Sequence, residues 1–505
     1  MATASDFSKH INEGYASKGE SITLGGAILN GEPVADTFVK VPLKTLNRHG
    51  LIAGATGTGK TKTIQVLSEQ LSTFGIPVLM MDIKGDFSGI AKEGEEKPFI
   101  TERHDKINIP YTTASFPVEL MSLSQQNGVR LRATVSEFGP VLFSRILDLN
   151  DTQTGVVSVI FKYCDDKQMP LLDLKDIKKV LNYITEEGKD EIEESYGKIS
   201  TSTTGIILRK IIELEQQGGD LFFGEKSFEI DDLMRFDENG KGYVNIIRLT
   251  DIQDKPKLFS TFMLSLLAEI YQQMPEKGDA EQPELVIFID EAYLIFNEAS
   301  KALLDQIETI IKLIRSKGIG VYFVTQNPMD VPASVLAQLG LKIQHALRAF
   351  TANDRQAIRQ TADNYPTSIY YKTDEVLTSL GIGEAFVTAL NEKGIPTPLA
   401  ATMMRAPMSR MDILTDTEIT EINGKSKLVR KYSEEIDRES AYELLTKKIE
   451  SAVQQAENQE QTKQEEQKSN EPSTASVIGK SVVKVVTSAT FIRGVFGVLS
   501  KMFRK

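Results

Sequence analysis

Six short runs of the chain are apolar almost throughout: His49 to Ala53, Val78 to Asp82, Tyr243 to Leu249, Leu285 to Asp290, Val321 to Thr325 and Lys342 to Leu347. Runs of this length without alternation predict strands buried on both faces. Helices are expected over about 60–73 and around 257–273, 300–316 and 353–362. Strands alternating with helical stretches predict an α/β fold with a parallel-dominated central sheet covered by helices on both faces.

The pattern also divides the chain. Residues 46–100 and 241–405 carry the strand-helix alternation, and 1–45 is a short β-rich segment ahead of them. Residues 101–240, with segments such as LLDLKDIKKVLNYI, read as a helical insertion subdomain, in which Glu186 to Glu194 is a solvated face or loop. Residues 406–456 read as a helical C-terminal extension. The polar stretch 457–474 is too poor in apolar residues to fold and is expected to be a disordered linker.

Residues 475–505 differ from the linker. Ile478, Val482, Val485, Ala489, Ile492, Phe496, Leu499 and Phe503 alternate at spacings of four and three, predicting one apolar helical face. The basic residues Lys480, Lys484, Arg493, Lys501, Arg504 and Lys505 accompany it without acidic ones. This basic amphipathic helix suits either a protein surface, self-contact included, or an anionic membrane.

Composition narrows the class. The 505 residues are 41% apolar and 25% charged, ordinary for a globular protein. One cysteine, Cys164, and four histidines scattered along the chain exclude a disulfide framework and point away from structural zinc. The start MATASDFSKHINEGYASKGE has no apolar signal core and no long apolar run occurs, so a cytoplasmic location is expected. A net charge of −12 argues against wholesale coating of nucleic acid but leaves room for a local basic channel.

The chemistry begins after the first run, where LIAGATGTGKT matches the phosphate-binding pattern G-x-x-x-x-G-K-[ST] between a strand and a helix. Gly54, Ala55, Thr56, Gly57, Thr58, Gly59, Lys60, Thr61 and Lys62 form the expected nucleotide cradle. Glycines turn amide groups towards a β-phosphate, Lys60 reaches the β/γ-phosphates, and the Thr61 hydroxyl ligates Mg²⁺. A ligand-free glycine turn would leave the Lys-Thr pair unexplained.

The run Leu285 to Ile289 delivers Asp290 and Glu291 at its end. Asp290 is expected in the Mg²⁺ shell and Glu291 as the group that polarises a water aimed at the γ-phosphate, although an isolated carboxylate there could equally cap a helix. Gln326 closes Val321 to Thr325 and can reach the γ-phosphate or the water; the competing role is a turn residue. Arg348 and Arg355, after the sixth run, suit an arginine supplied to a neighbouring subunit's nucleotide, with a surface salt bridge as the alternative. Asp82, in MDIKGDFSG with Asp86, either tunes the Mg²⁺ shell or caps its own turn.

The stretches RHGLIAGATGTGKT, MDIKGDFSGI, LVIFIDEAYLIF, KALLDQIETIIKLIRSKGIGVYFVTQNPMDVP and LAQLGLKIQHALRAFTANDRQAI, with 130–155, resemble bacterial HerA-like ATPases of the YjgR type, within the HerA/FtsK group of RecA-like motors. The resemblance covers about 20–405 well and the tail loosely. It implies a RecA-like P-loop core, ATP and Mg²⁺ as ligands, Glu291 as the catalytic glutamate, and homo-oligomeric, hexameric rings hydrolysing ATP at subunit interfaces. Duplex DNA is the substrate that relatives in the wider group move. The first 45 residues are short for the N-terminal β-barrel with which HerA docks its nuclease, so a nuclease partner stands in doubt. The alternative function is a nucleotide-switched assembly or membrane-associated adaptor ATPase that does not act on DNA. A metabolic kinase is disfavoured, because Asp290, Glu291 and Gln326 read as water activation.

Overall fold

The computed structural model describes residues 3–469 apart from 125, 226, 297–300, 434–435 and 437. All six apolar runs form strands of one sheet of twelve, numbered β1 (Ser21–Leu29), β2 (Glu32–Pro42), β3 (Gly50–Ala53), β4 (Val78–Asp82), β5 (Val118–Ser122), β6 (Val129–Arg130), β7 (Val244–Arg248), β8 (Leu285–Ile289), β9 (Ile319–Thr325), β10 (Leu341–His345), β11 (Glu384–Thr388) and β12 (Ala400–Met404). The order is β2-β1-β12-β11-β10-β3-β9-β8-β4-β7-β5-β6. From β10 to β6 every pairing is parallel, whereas β11, β12, β1 and β2 continue the other edge in antiparallel fashion. β3, β4, β8 and β9 are buried at every position, as unalternated strands require. The α/β, RecA-like P-loop architecture is thus the one expected.

Three helices matter for the site: α1 (Ala4–Gly14), α2 (Lys60–Thr73) and α3 (Pro98–Ile107). α2 turns Ile64, Leu67 and Leu71 into the main core. Its outer side is covered by the segment after β12, where Glu69 accepts the amides of Met408 (2.8 Å) and Ser409 (2.9 Å). The helices Pro256–Gln273, Lys301–Ile314 and Ala352–Asp363 lie where the spacing places them, the last capped reciprocally by Thr351 and Asp354.

The structure adds to or corrects three details. Residues 1–45 carry strands as expected, with α1 ahead of β1 and β2, and both strands belong to the central sheet through β12. Within 101–240, expected to be helical, β5 and β6 extend the sheet beyond β7, and helices dominate only from Val135 to Phe222. β5 escaped the pattern because Glu119 interrupts it; that buried carboxylate is paired with Arg235 (2.6 Å) and accepts from Ser426 (2.6 Å). Third, the polar stretch 457–474 is helical as far as Ser469, as part of Ala441–Ser469. Its Glu, Gln and Lys residues are strong helix formers, with no Gly or Pro before Pro472. The basic amphipathic stretch 475–505 lies outside the described residues. The chain divides into two units, 1–446 and 447–505. Among the described residues no helix is long and apolar enough to cross a membrane.

Candidate nucleotide site

At the C-terminal edge of β3 the chain leaves the sheet as a loop that ends where α2 begins. Gly57 (φ 76°) and Gly59 (φ 113°) hold left-handed conformations that only glycine enters cheaply, and a Cβ on Gly59 would lie 3.1 Å from the Gly383 backbone. The loop is anchored behind: Ala55 donates its amide to Ala346 (2.9 Å), and Gly383 donates to the Thr58 carbonyl (2.9 Å). Arg103, from α3, in turn donates to the carbonyls of Gly383 (3.1 Å) and Met404 (3.0 Å).

Lys60, the first residue of α2, is 7% exposed and donates its ammonium to the Gly54 (2.6 Å) and Ala55 (3.2 Å) carbonyls. Burial, followed by the charge of Lys84, holds its pKa below the ordinary lysine value. Thr61 donates to Asp86 Oδ2 (3.1 Å). Lys62 extends to the other side of the helix, where its ammonium reaches the carbonyl of Met411 (2.5 Å), so only its backbone remains near the loop.

β8 is separated from β3 by β9, and all three end at the same edge. Asp290 and Glu291 are both buried there, with Glu291 at φ 48°. Burial, reinforced by the charge of Glu291, pushes Asp290 up to about 7. Gln326, following β9, receives the Thr56 hydroxyl at 3.3 Å and approaches Glu291 Oε1 at 3.5 Å. The fold therefore brings Thr56, Lys60, Thr61, Asp290, Glu291 and Gln326 together from three separate strand ends. Arg348 and Arg355 are exposed past the end of β10, and neither forms an ion pair among the described residues.

The turn after β4 contributes more than the sequence suggested. Asp82 caps it, accepting from the amides of Gly85 (2.7 Å), Asp86 (3.2 Å) and Phe87 (3.2 Å), which decides its role in favour of the turn. Burial and the charge of Asp86 push Asp82 up to about 6. Lys84 forms an ion pair with Glu291. Two further residues were missed. Arg103 buttresses the loop, and His345, wholly buried behind it, contacts the Thr63 hydroxyl (2.9 Å) and the Glu384 carbonyl (2.9 Å); burial pushes His345 down to about 4 and keeps it neutral.

The oxygen donors suit Mg²⁺. Asp86 Oδ1 and Glu291 Oε2 are buried without a hydrogen-bond partner, and the other Asp86 oxygen stands 3.1 Å from the Thr61 hydroxyl, a set of hard oxygen donors. Among the described residues no group of three or more His, Cys, Asp or Glu side chains is placed to hold an ion alone. That fits a cation bound by one or two protein oxygens together with phosphate.

The raised Asp290 carboxyl has a consequence for stability. The folded chain keeps a proton that the unfolded chain releases between the ordinary value of 3.8 and about 7, so this stabilisation is present at the low end and lost as pH rises through that window. In EDTA without nucleotide, Asp290→Asn should therefore melt close to the parent near pH 4 and increasingly above it towards pH 7.5. A pH-independent difference between the two melting curves would contradict the assigned shift.

The family model for the HerA-like helicase C-terminal region matches residues 28–499. The DNA double-strand break repair helicase HerA of Sulfolobus acidocaldarius is 20% identical over 380 residues, covering 74% of this chain and 68% of that protein. Its namesake from Sulfurisphaera tokodaii is 24% identical over 366 residues, covering 70% and 64%. This chain thus spans about two thirds of those relatives. Among solved structures, the unbound monoclinic form of the bacterial conjugative coupling protein TrwBdeltaN70 superposes with a TM-score of 0.51 at 14% identity, covering 81% of this chain and 95% of that one, a likeness of fold. With the family model spanning both the sheet and its phosphate loop, the chain belongs to the HerA-like helicase C-terminal family.

Proposed function

We propose that the protein is a cytoplasmic, ATP-hydrolysing motor of the HerA/FtsK group, of the bacterial YjgR type, that works as a homo-hexameric ring on duplex DNA. The observation that carries the ATPase reading is the convergence of Gly54–Thr61, Asp290–Glu291 and Gln326 on one sheet edge, joined by the Thr56–Gln326–Glu291 contacts. Loop amides and Lys60 hold the β- and γ-phosphates, and Thr61 and Asp290 hold Mg²⁺, which supplies charge neutralisation when bound. Gln326 orients a water on the γ-phosphate, and Glu291 takes its proton. The exposure of Arg348 and Arg355, with no ion pair among the described residues, supports a role across a subunit boundary, Arg355 first. The DNA substrate is supported by the names of the HerA relatives.

On an oligomer of measured mass, duplex DNA should raise ATP turnover severalfold. In mixed rings, Arg355→Ala subunits combined with Lys60→Ala subunits should recover part of the turnover that each lacks alone. Turnover indifferent to DNA would favour the nucleotide-switched adaptor instead, and no recovery with Arg355→Ala or Arg348→Ala in proven mixed rings would remove the arginine from the interface.

A further inference from the structure

The turn after β4 touches both halves of the site. Asp86 receives the hydroxyl of Thr61 on the metal side, and Lys84 pairs with Glu291 on the water side. The backbone of this turn is fixed, with three amides bound to Asp82 and Gly85 at φ 78°, where a Cβ would lie 2.8 Å from Thr250. The Lys84 side chain is freer: it is 40% exposed, against 5% for that of Glu291. As it stands, then, one carboxylate oxygen of the group placed to activate water is occupied by an ammonium.

We propose that Lys84 is a latch that reads the terminal phosphate: its ammonium, paired here with Glu291, transfers to the γ-phosphate of an entering nucleoside triphosphate and thereby frees the Glu291 carboxylate. This rests on the reading of Gly54–Thr61 as the triphosphate cradle and of Glu291 as the base. Proximity supports the exchange, because Glu291, the present partner of Lys84, is joined through Gln326 to Thr56 of the phosphate loop. A phosphate anion between two ammonium groups relieves their repulsion and offers Lys84 a partner of greater charge than a carboxylate. When released, Glu291 keeps the Gln326 amide 3.5 Å from Oε1, and Oε2, buried without a hydrogen-bond partner, is the atom left to accept from a water. A diphosphate lacks the competing anion, so with ADP the pair stays closed. Lys84 thus touches the nucleotide itself and, by leaving Glu291, sets that carboxylate free.

Binding measurements separate this from a merely structural ion pair. The affinity of a non-hydrolysable ATP analogue relative to ADP would be measured, with Mg²⁺, for the parent, Lys84→Met, Glu291→Gln and the double variant. Lys84→Met should lower the triphosphate preference by about tenfold, and Glu291→Gln, which releases the ammonium, should raise it by about as much. In the Lys84→Met background, Glu291→Gln should change the preference less than about twofold. Lys84→Arg should keep most of the preference, guarding against a folding defect in the methionine variant. The latch is overturned if Lys84→Met leaves the preference unaltered, or if Glu291→Gln raises it equally with and without Lys84, as simple relief of repulsion would. Lys60→Ala distinguishes the two levels of the argument: retained analogue binding in that variant sinks the cradle itself, whereas lost binding alongside an additive Lys84–Glu291 cycle sinks only the latch.

Discussion

Replacing Lys60 by alanine should abolish ATP turnover and weaken nucleotide binding by about tenfold to a hundredfold, the loss expected for a charge-assisted contact with phosphate. Lys60 sits in a loop that offers its ammonium two carbonyls, Gly54 and Ala55, within 3.2 Å and leaves it 7% exposed. The other residues from Gly54 to Thr61 are uncharged and the ammonium of Lys62 is bound to the Met411 carbonyl, so no side chain of the cradle can replace it. The loop itself is held by Ala346, Gly383 and, one layer further, Arg103, none of which depends on the lysine. Thermal melting should consequently change little while titration with a fluorescent nucleotide shows the affinity loss. Parental turnover by Lys60→Ala would mean that the phosphates bind elsewhere.

The second large effect separates binding from chemistry. Glu291→Gln retains the shape and the Gln326 contact but removes the acceptor for a water proton, so turnover should fall by roughly 10²-fold or more. ATP should remain bound, recoverable unhydrolysed after rapid gel filtration. Loss of binding together with turnover would show that Glu291, at φ 48° and buried, holds the end of β8 in shape rather than serving the reaction.

How far the sequence discloses this molecule depends on whether a feature is local. β4, β8 and β9 are legible because strands covered on both faces must be apolar at successive positions, and α2 because its phosphate loop dictates where it starts. β11 and β12 were not read as strands, since EAFVT and AATMM are rich in small and polar residues rather than forming a branched apolar run, although they pair with each other. Lys84 escaped notice because its partner is remote in sequence. Only the adjacency of β4 and β8 in the sheet brings it to Glu291, and nothing in MDIKGDFSG announces that neighbour. His345 reads as the last residue of an apolar strand, and its place behind the loop emerges only from the pairing of β10 with β3. The helix through Ser469 shows the opposite failure: low apolar content argued against folding, while local helix propensity pointed the other way.

The strand order also constrains synthesis. β3 lies between β9 and β10, and β1 pairs with β12, Gly25 opposite Met404. A chain emerging from the ribosome at about 5–20 residues per second carries its first strands for on the order of tens of seconds before their partners exist. During that interval β1 and β2 can pair with each other and be covered in part by α1, but the phosphate loop has no sheet behind it until β9 and β10 are made. Nascent chains stalled before β9 should therefore be the form that chaperones hold and proteases cut, and nucleotide cannot rescue them, because Gln326, Ala346 and Gly383, which complete and back the cradle, are still to come.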